Sequence, residues 1–244
     1  KDDITTEFYK WDSMLAAKLI SASDVSFVIP RRNWANNTTY DMYEHDVSAS
    51  NTTTSGASNL FDSTFYFMTS DYKVYKVLDN NGGVAYSGAE PTSEVTGPFE
   101  LGGYTLQYMY KLTTSEVQKF VTSDFIPVST DTNVGNAAVN GSIDTVRVTA
   151  GSGYTDGTYY SPVDGDGANG IVKIVVASGS IVKQGSAGTN MYTIGSGYTF
   201  ANIDLTNVYT NVGLTTAGNI GSGTGGLVQP IISPKGGHGK DAVH

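Results

Sequence analysis

The chain contains no cysteine and only three histidines among its 244 residues. Disulfide staples and thiolate metal sites are thereby excluded. Charge is scarce too. Asp, Glu, Lys and Arg together make up 15% of the residues, low for a globular domain. The charge present leans acidic, with 14 basic against 23 acidic residues and a net charge of −9. A phosphate backbone repels such a surface, and no basic cluster offsets it, so nucleic acid is not an expected partner. No apolar run approaches the ~20 residues of a membrane-spanning helix, so no membrane partner is expected either. The chain opens on Lys1 with no signal-peptide pattern.

What fills the space is glycine, threonine, serine, asparagine and tyrosine, with 29 Gly and 16 Tyr. β-branched and aromatic side chains suit a pleated surface, and glycine suits the turns between short strands. A Gly-Ser-Gly-Tyr-Thr motif occurs twice, at 151–155 and 195–199. Each is followed by a second glycine turn and an apolar run, 165–176 and 221–232. Such an internal repeat identifies an architecture before any site. The expectation is a mainly β fold of antiparallel sandwich- or barrel-like domains with a few short helices. Residues 1–134 read as a framework β domain with two short helices. Residues 135–233 read as a repeated Gly/Val-rich β domain, and 234–244 as a connector loop leading elsewhere.

Within the first region, Trp11, Met14, Leu15 and Leu19 recur at helical spacing, predicting an amphipathic helix over about 8–20 that covers a sheet. Val25–Ile29 reads as a strand stopped by Pro30, and 33–59 as a long surface loop. Thr64–Met68 and Tyr72–Leu78 are further strands, and Asp79–Gly83 reads as a hairpin turn. Tyr104, Leu106, Tyr108, Tyr110 and Leu112 alternate along one strand face, which reads as core before it reads as a sugar-binding platform. Thr113 and Glu116 form a capping box for a short helix, with Leu112 and Val117 as its hydrophobic staple. Phe125–Val128 returns as a strand.

Candidate chemistry is thin. Gly236–Lys240 lacks the first glycine and the final Ser or Thr of a phosphate-binding loop. Asp164 and Asp166 have the spacing of a calcium loop, but no further ligand or bidentate Glu follows, and a self-bonded turn is the plainer reading. His45 sits in Tyr43-Glu-His-Asp46 and reads as a surface or salt-bridged histidine. Carboxylate pairs such as Asp62/Asp71 could serve a glycosidase, but any acidic chain offers such pairs. No catalytic, cofactor-binding or metal-binding residue is assigned, no cofactor is expected, and the protein is not expected to be an enzyme.

Three segments together resemble one family. Val28-Ile-Pro-Arg-Arg-Asn-Trp34, followed by Tyr40-Asp and Tyr43, resembles a signature of the gene-eight-type baseplate wedge subunit of T-even-type contractile-tailed bacteriophages. Tyr72–Asp79 and the stretch from Gly102 to Val128 resemble two further blocks of that family, in the same order. The resemblance covers about residues 24–128 and implies further segments before Lys1 and after His244. It implies a mainly β structural virion protein, a homodimer at the periphery of the tail baseplate, assembled in the host cytoplasm. Such a subunit would contact other wedge proteins and help transmit baseplate rearrangement. Arg31, Arg32 and Trp34 are then the candidate interface anchors, since assembly surfaces rely on aromatic and Arg side chains. An intrachain corner, with the arginines paired to Asp41, Glu44 or Asp46, is the equal alternative. A carbohydrate-binding β-module of a tail or extracellular protein is the alternative function, and a tail-spike-like glycan-degrading enzyme the third.

Overall fold

A computed structural model describes residues 9–16, 19–183 and 187–241. The fold is mainly β, with several antiparallel sheets and short helices. In chain order the first strands are β1 (Val28–Pro30), β2 (Tyr66–Met68), β3 (Lys73–Asp79), β4 (Phe99–Leu101) and β5 (Tyr104–Lys111). Helix α1 (Thr114–Phe120), β6 (Phe125–Pro127) and helix α2 (Thr132–Ala137) follow. The rest is β7 (Ile143–Ser152), β8 (Gly157–Pro162), β9 (Asp164–Gly165), β10 (Ala168–Ala177), β11 (Ser180–Ile181), β12 (Asn190–Ser196), β13 (Ala201–Asn202) and β14 (Thr224–Ile232).

The first core lies on an antiparallel sheet of order β2-β3-β5-β4. β3 is buried along its whole length. Tyr104, Leu106, Tyr108, Tyr110 and Leu112 are all buried, so the alternating face is core. The Asp79–Gly83 turn forms, with Asn81 and Gly82 at positive φ, but it closes no hairpin. β3 pairs instead with β5, more than twenty residues on. β1 pairs with β6 and includes Pro30, which the ribbon tolerates because it is an edge. Thr113 caps α1: its hydroxyl accepts from Glu116 N, while the Glu116 carboxylate accepts from Thr113 N at 2.8 Å.

Two expectations fail here. Of the stretch 8–20, only residues 9–12 are helical among the described residues. Trp11 (68% exposed), Leu15 and Leu19 face solvent and cover no sheet. The segment 33–59 does not stay on the surface either: Tyr40–Glu44 is buried, with Tyr43 N donating to Val77 O.

The second core is built from β7 to β14. The two Gly-Ser-Gly-Tyr segments take one backbone path, with φ of 60° and 80° at Gly151 and Gly153 and again at Gly195 and Gly197. Only glycine enters this region without strain. Tyr154 lies across Gly223 and Gly226, and Tyr198 across Gly167 and Gly170, where any Cβ would strike the ring or, at Gly170, its hydroxyl. Each tyrosine hydroxyl accepts a backbone N–H, from Gly226 at 3.0 Å and from Gly170 at 3.1 Å. The pairing is nested. The strand of the first motif, β7, pairs with the last apolar run in β14, and β12 pairs with the first run in β10.

The two cores meet. Helix α2 crosses the expected boundary at 134/135, and both Val134 and Ile231 of β14 belong to the first core. Of the expected connector 234–244, the described residues 234–241 fold back onto the first core. Gly237, His238 and Gly239 are buried, with the His238 ring 5.3 Å from the Tyr43 ring.

Candidate functional site

Arg31, Arg32 and Trp34 are half-buried and engaged inside the chain. Trp34 N donates to Met68 O and Met68 N donates to Arg32 O, so this segment lies along the free edge of β2. The Trp34 ring meets Tyr86 edge-on at 6.1 Å. Arg31 donates from Nη1 to Thr122 O at 2.9 Å and from its backbone N to Asp124 O at 2.7 Å. Arg32 donates from Nη2 to Phe61 O at 3.0 Å and Asp62 O at 3.1 Å, and its guanidinium lies 5.5 Å over the Tyr66 ring. The expected corner is therefore made, but with backbone carbonyls as partners. Neither arginine pairs with Asp41, Glu44 or Asp46. Bonds to backbone carbonyls pin the main chain of a loop directly, whereas a carboxylate would hold it only through its own side chain.

The two loops held this way carry exposed aromatic side chains. Phe125 follows the Thr122–Asp124 turn, and Phe61 sits beside Asp62; both are exposed, Phe61 at 66%. Val28 and Phe125 share the outward face of the β1–β6 ribbon, since Val28 pairs with Pro127 and Pro30 with Phe125. Upstream, Tyr9, Trp11, Leu15, Leu19, Ile20, Val25 and Phe27 are all exposed. Large apolar side chains exposed in such density mark interaction surfaces. Sequence reading missed Phe27, Phe61 and Phe125, because nothing in a local pattern says whether an apolar residue at a strand end or in a turn finds a cover.

Acidic groups named in the sequence reading serve elsewhere. Asp41 accepts from Ser55 N and Oγ at 2.7 Å each, Thr64 N at 2.8 Å and Ser63 Oγ at 3.1 Å. Burial pushes its carboxyl up, but the Ser55, Thr64 and Ser63 hydrogen bonds outweigh that and hold it below the usual range. Glu44 is buried, with Arg147 Nη1 at 2.7 Å; burial still leaves its carboxyl raised against the pull of that cation. Arg147 Nη2 donates to Gln229 Oε1 at 2.7 Å, and Gln229 Nε2 donates to Asp46 Oδ2 at 2.8 Å. His45 Nδ1 accepts from Ile232 N at 3.2 Å, which requires the neutral ring. The Glu44–Asp46 stretch is thus a clamp onto the β7–β14 ribbon.

Asp166 accepts from Thr199 N and Oγ1 and from Phe200 N, which lowers its carboxyl to about 2. These partners lie 33 and 34 residues on, so Asp166 ties its loop to the second Gly-Ser-Gly-Tyr-Thr motif instead of closing the expected self-bonded turn. Asp62 accepts from Asn59 and Asp71 pairs with Lys73. No group of three or more His, Cys, Asp or Glu side chains that could hold a metal occurs among the described residues. Among them, no helix is long and apolar enough to cross a membrane.

One buried cation escaped the sequence reading altogether. Lys76 lies in β3 with 6% exposure, its Nζ 3.5 Å from the centre of the Tyr43 ring. The alternation Val74, Lys76, Leu78 on one strand face was the signal that could have found it. No protein-family model matches the chain, and no curated protein and no solved structure matches it.

Proposed function

We propose that this protein is a structural subunit of a contractile phage tail, set at the periphery of a baseplate wedge. It forms a homodimer, contacts other wedge proteins and helps transmit the rearrangement of the baseplate. The observation that carries this reading is the set of exposed apolar side chains among the described residues between Tyr9 and Val28, next to a ribbon whose own outward face carries Phe125. Such a surface gains free energy from burial against another protein, at roughly 25 cal/mol for each Å² of apolar area covered. The Ile-Pro-Arg-Arg-Asn-Trp block supports the reading from a second side. Its two arginines hold the loops that display Phe61 and Phe125, so it acts as a positioning block for the surface. The sequence blocks that resemble the wedge subunit also pack together: β1 with β6, and β3 with β5.

Peptide mass spectrometry on purified phage particles and isolated baseplates tests this. The expected result is enrichment of this chain in baseplates at a copy number divisible by six. Absence from the particle overturns the reading.

A further inference from the structure

An apolar cavity of about 290 Å³ opens beside β3, close to the roughly 300 Å³ at which ligand clefts begin. Leu60, Phe65, Val74 and Met109 form its apolar wall, with Phe61 at the solvent side. The polar groups that line it are few, and most are engaged. The Tyr66 hydroxyl donates to Pro30 O at 2.7 Å and the Tyr110 hydroxyl to Pro127 O at 3.3 Å. Asp241 lines the cavity from the exposed end of the tail.

Two groups stand apart. The Tyr43 hydroxyl makes no hydrogen bond among the described residues. Lys76 Nζ lies over the rings of Tyr43 and Phe65, at 3.5 and 5.7 Å from their centres, with no hydrogen bond and no ion pair among the described residues. Asp144 acts on it only at longer range, as does the buried imidazole of His238, which burial and the Lys76 charge together hold neutral. Ring faces partly compensate an ammonium, but its three N–H donors still ask for an acceptor. A cation kept at the end of an apolar pocket without an acceptor fits an anionic headgroup with an apolar tail.

We propose that this cavity binds a small amphipathic monocarboxylate, with the headgroup on the Lys76 ammonium and the hydrocarbon tail along Leu60, Phe65, Val74 and Met109. One cation matches one negative charge, and Asp241 at the opening disfavours a doubly charged group such as a phosphate monoester. Burial pushes the Lys76 amine down to about 7, with Asp144 opposing. A carboxylate at Nζ would favour the charged form, so binding belongs to the acid side of neutrality.

Calorimetric titration of the full chain at pH 6 with sodium octanoate, octanol and octylammonium tests the site. Saturable one-to-one binding of octanoate is expected, roughly tenfold or more tighter than octanol, with no octylammonium binding. Lys76→Met keeps the length of the side chain and removes the charge. It should lose the preference for octanoate while retaining octanol. Leu60→Trp, which fills the cavity from a half-buried position, should lose both ligands. No saturable octanoate binding by the wild-type chain overturns the proposal. So does octanoate binding that Lys76→Met leaves unchanged, or a wild-type chain that takes all three probes alike.

Discussion

Asp41 and Lys76 are both charged and both shielded from water, yet the chain treats them oppositely. Asp41 receives four hydrogen bonds from three residues, so its charge is satisfied and its carboxyl stays ionised well below neutrality. Replacing it with Asn turns one of the two oxygens into an NH2, which then faces a backbone N–H of Ser55 or Thr64 as donor against donor. The expected loss is about 1–3 kcal/mol in urea unfolding, larger at pH 7 than at pH 3, where the unfolded chain's carboxyl, at its ordinary value, already takes up protons. Lys76 has no such partners, and its amine falls from an ordinary 10.5 to about 7. Between those values the unfolded chain binds the extra proton, so this residue's contribution to stability rises with pH and is lost as pH falls through 7. Lys76→Met should therefore be the more stable protein at pH 6, by about 1–3 kcal/mol. The gap should close by pH 9.5, short of the range above 10 where burial of tyrosines such as Tyr43 and Tyr86 introduces its own pH dependence. Parallel urea curves for the two proteins at both pH values would check this; a gap that does not change with pH would show that Lys76 does not titrate in this window.

Elements formed where the sequence carried a strong local signal. The five alternating apolar residues from Tyr104 to Leu112 gave β5 with its buried face correct, and Thr113 with Glu116 gave the start of α1. Thr113→Ala should cost about 1 kcal/mol, read as a lower midpoint in thermal unfolding, because the Glu116 N–H loses its acceptor. Thr113→Ser should recover most of that loss. Where the signal was weak or misleading, partners decided. Helix α2 carries a single buried apolar residue, Val134, and is set by the Asp131 side chain, which accepts from Asn133 N and Val134 N. No periodicity announces so short a helix. The spacing of Trp11, Met14, Leu15 and Leu19 did announce one, but an amphipathic pattern requires a surface to face, and this chain supplies none among its described residues. The nested pairing of β7 with β14 and of β10 with β12 was beyond reach for a related reason. Two similar apolar runs can each satisfy either glycine motif locally, so the choice is made by the long connections and by the shared core. The candidate surface was legible only in part. Arg31, Arg32 and Trp34 stood out as part of a block that resembles a family signature, while Phe61 and Phe125, which the arginines display, had no pattern of their own.

At the scale of the molecule, two cores are joined by polar contacts and by the few apolar residues that cross over. Glu44 is the buried member of the clamp, and Arg147, about a third exposed, is its only cation within ion-pair distance among the described residues. Arg147→Met would leave that carboxylate uncompensated. The expected cost is about 2–3 kcal/mol, below the 3–5 kcal/mol of a fully buried pair because Arg147 is partly solvated. Glu44→Gln on the same background should restore part of it, and the double-mutant cycle measures the coupling. If the coupling is near zero, the Glu44–Arg147 pair does not hold the cores together, and the join falls to the Gln229–Asp46 and Ile232–His45 hydrogen bonds and to Val134 and Ile231. A rigid join matters for the proposed role, since a subunit that transmits rearrangement must carry displacement from its apolar surface to its far end. That surface makes the final prediction. Phe27, Phe61 and Phe125 are exposed, with Phe61 at the rim of the cavity beside β3, so replacing all three with Ser should cost no more than about 1.5 kcal/mol, about 0.5 kcal/mol for each surface change. Association should respond strongly. Sedimentation velocity on the wild-type chain is expected to show a concentration-dependent dimer, and the triple variant a monomer of unchanged circular dichroism. A dimer that persists in the triple variant would move the self-contact to another face and leave these side chains for a different wedge protein.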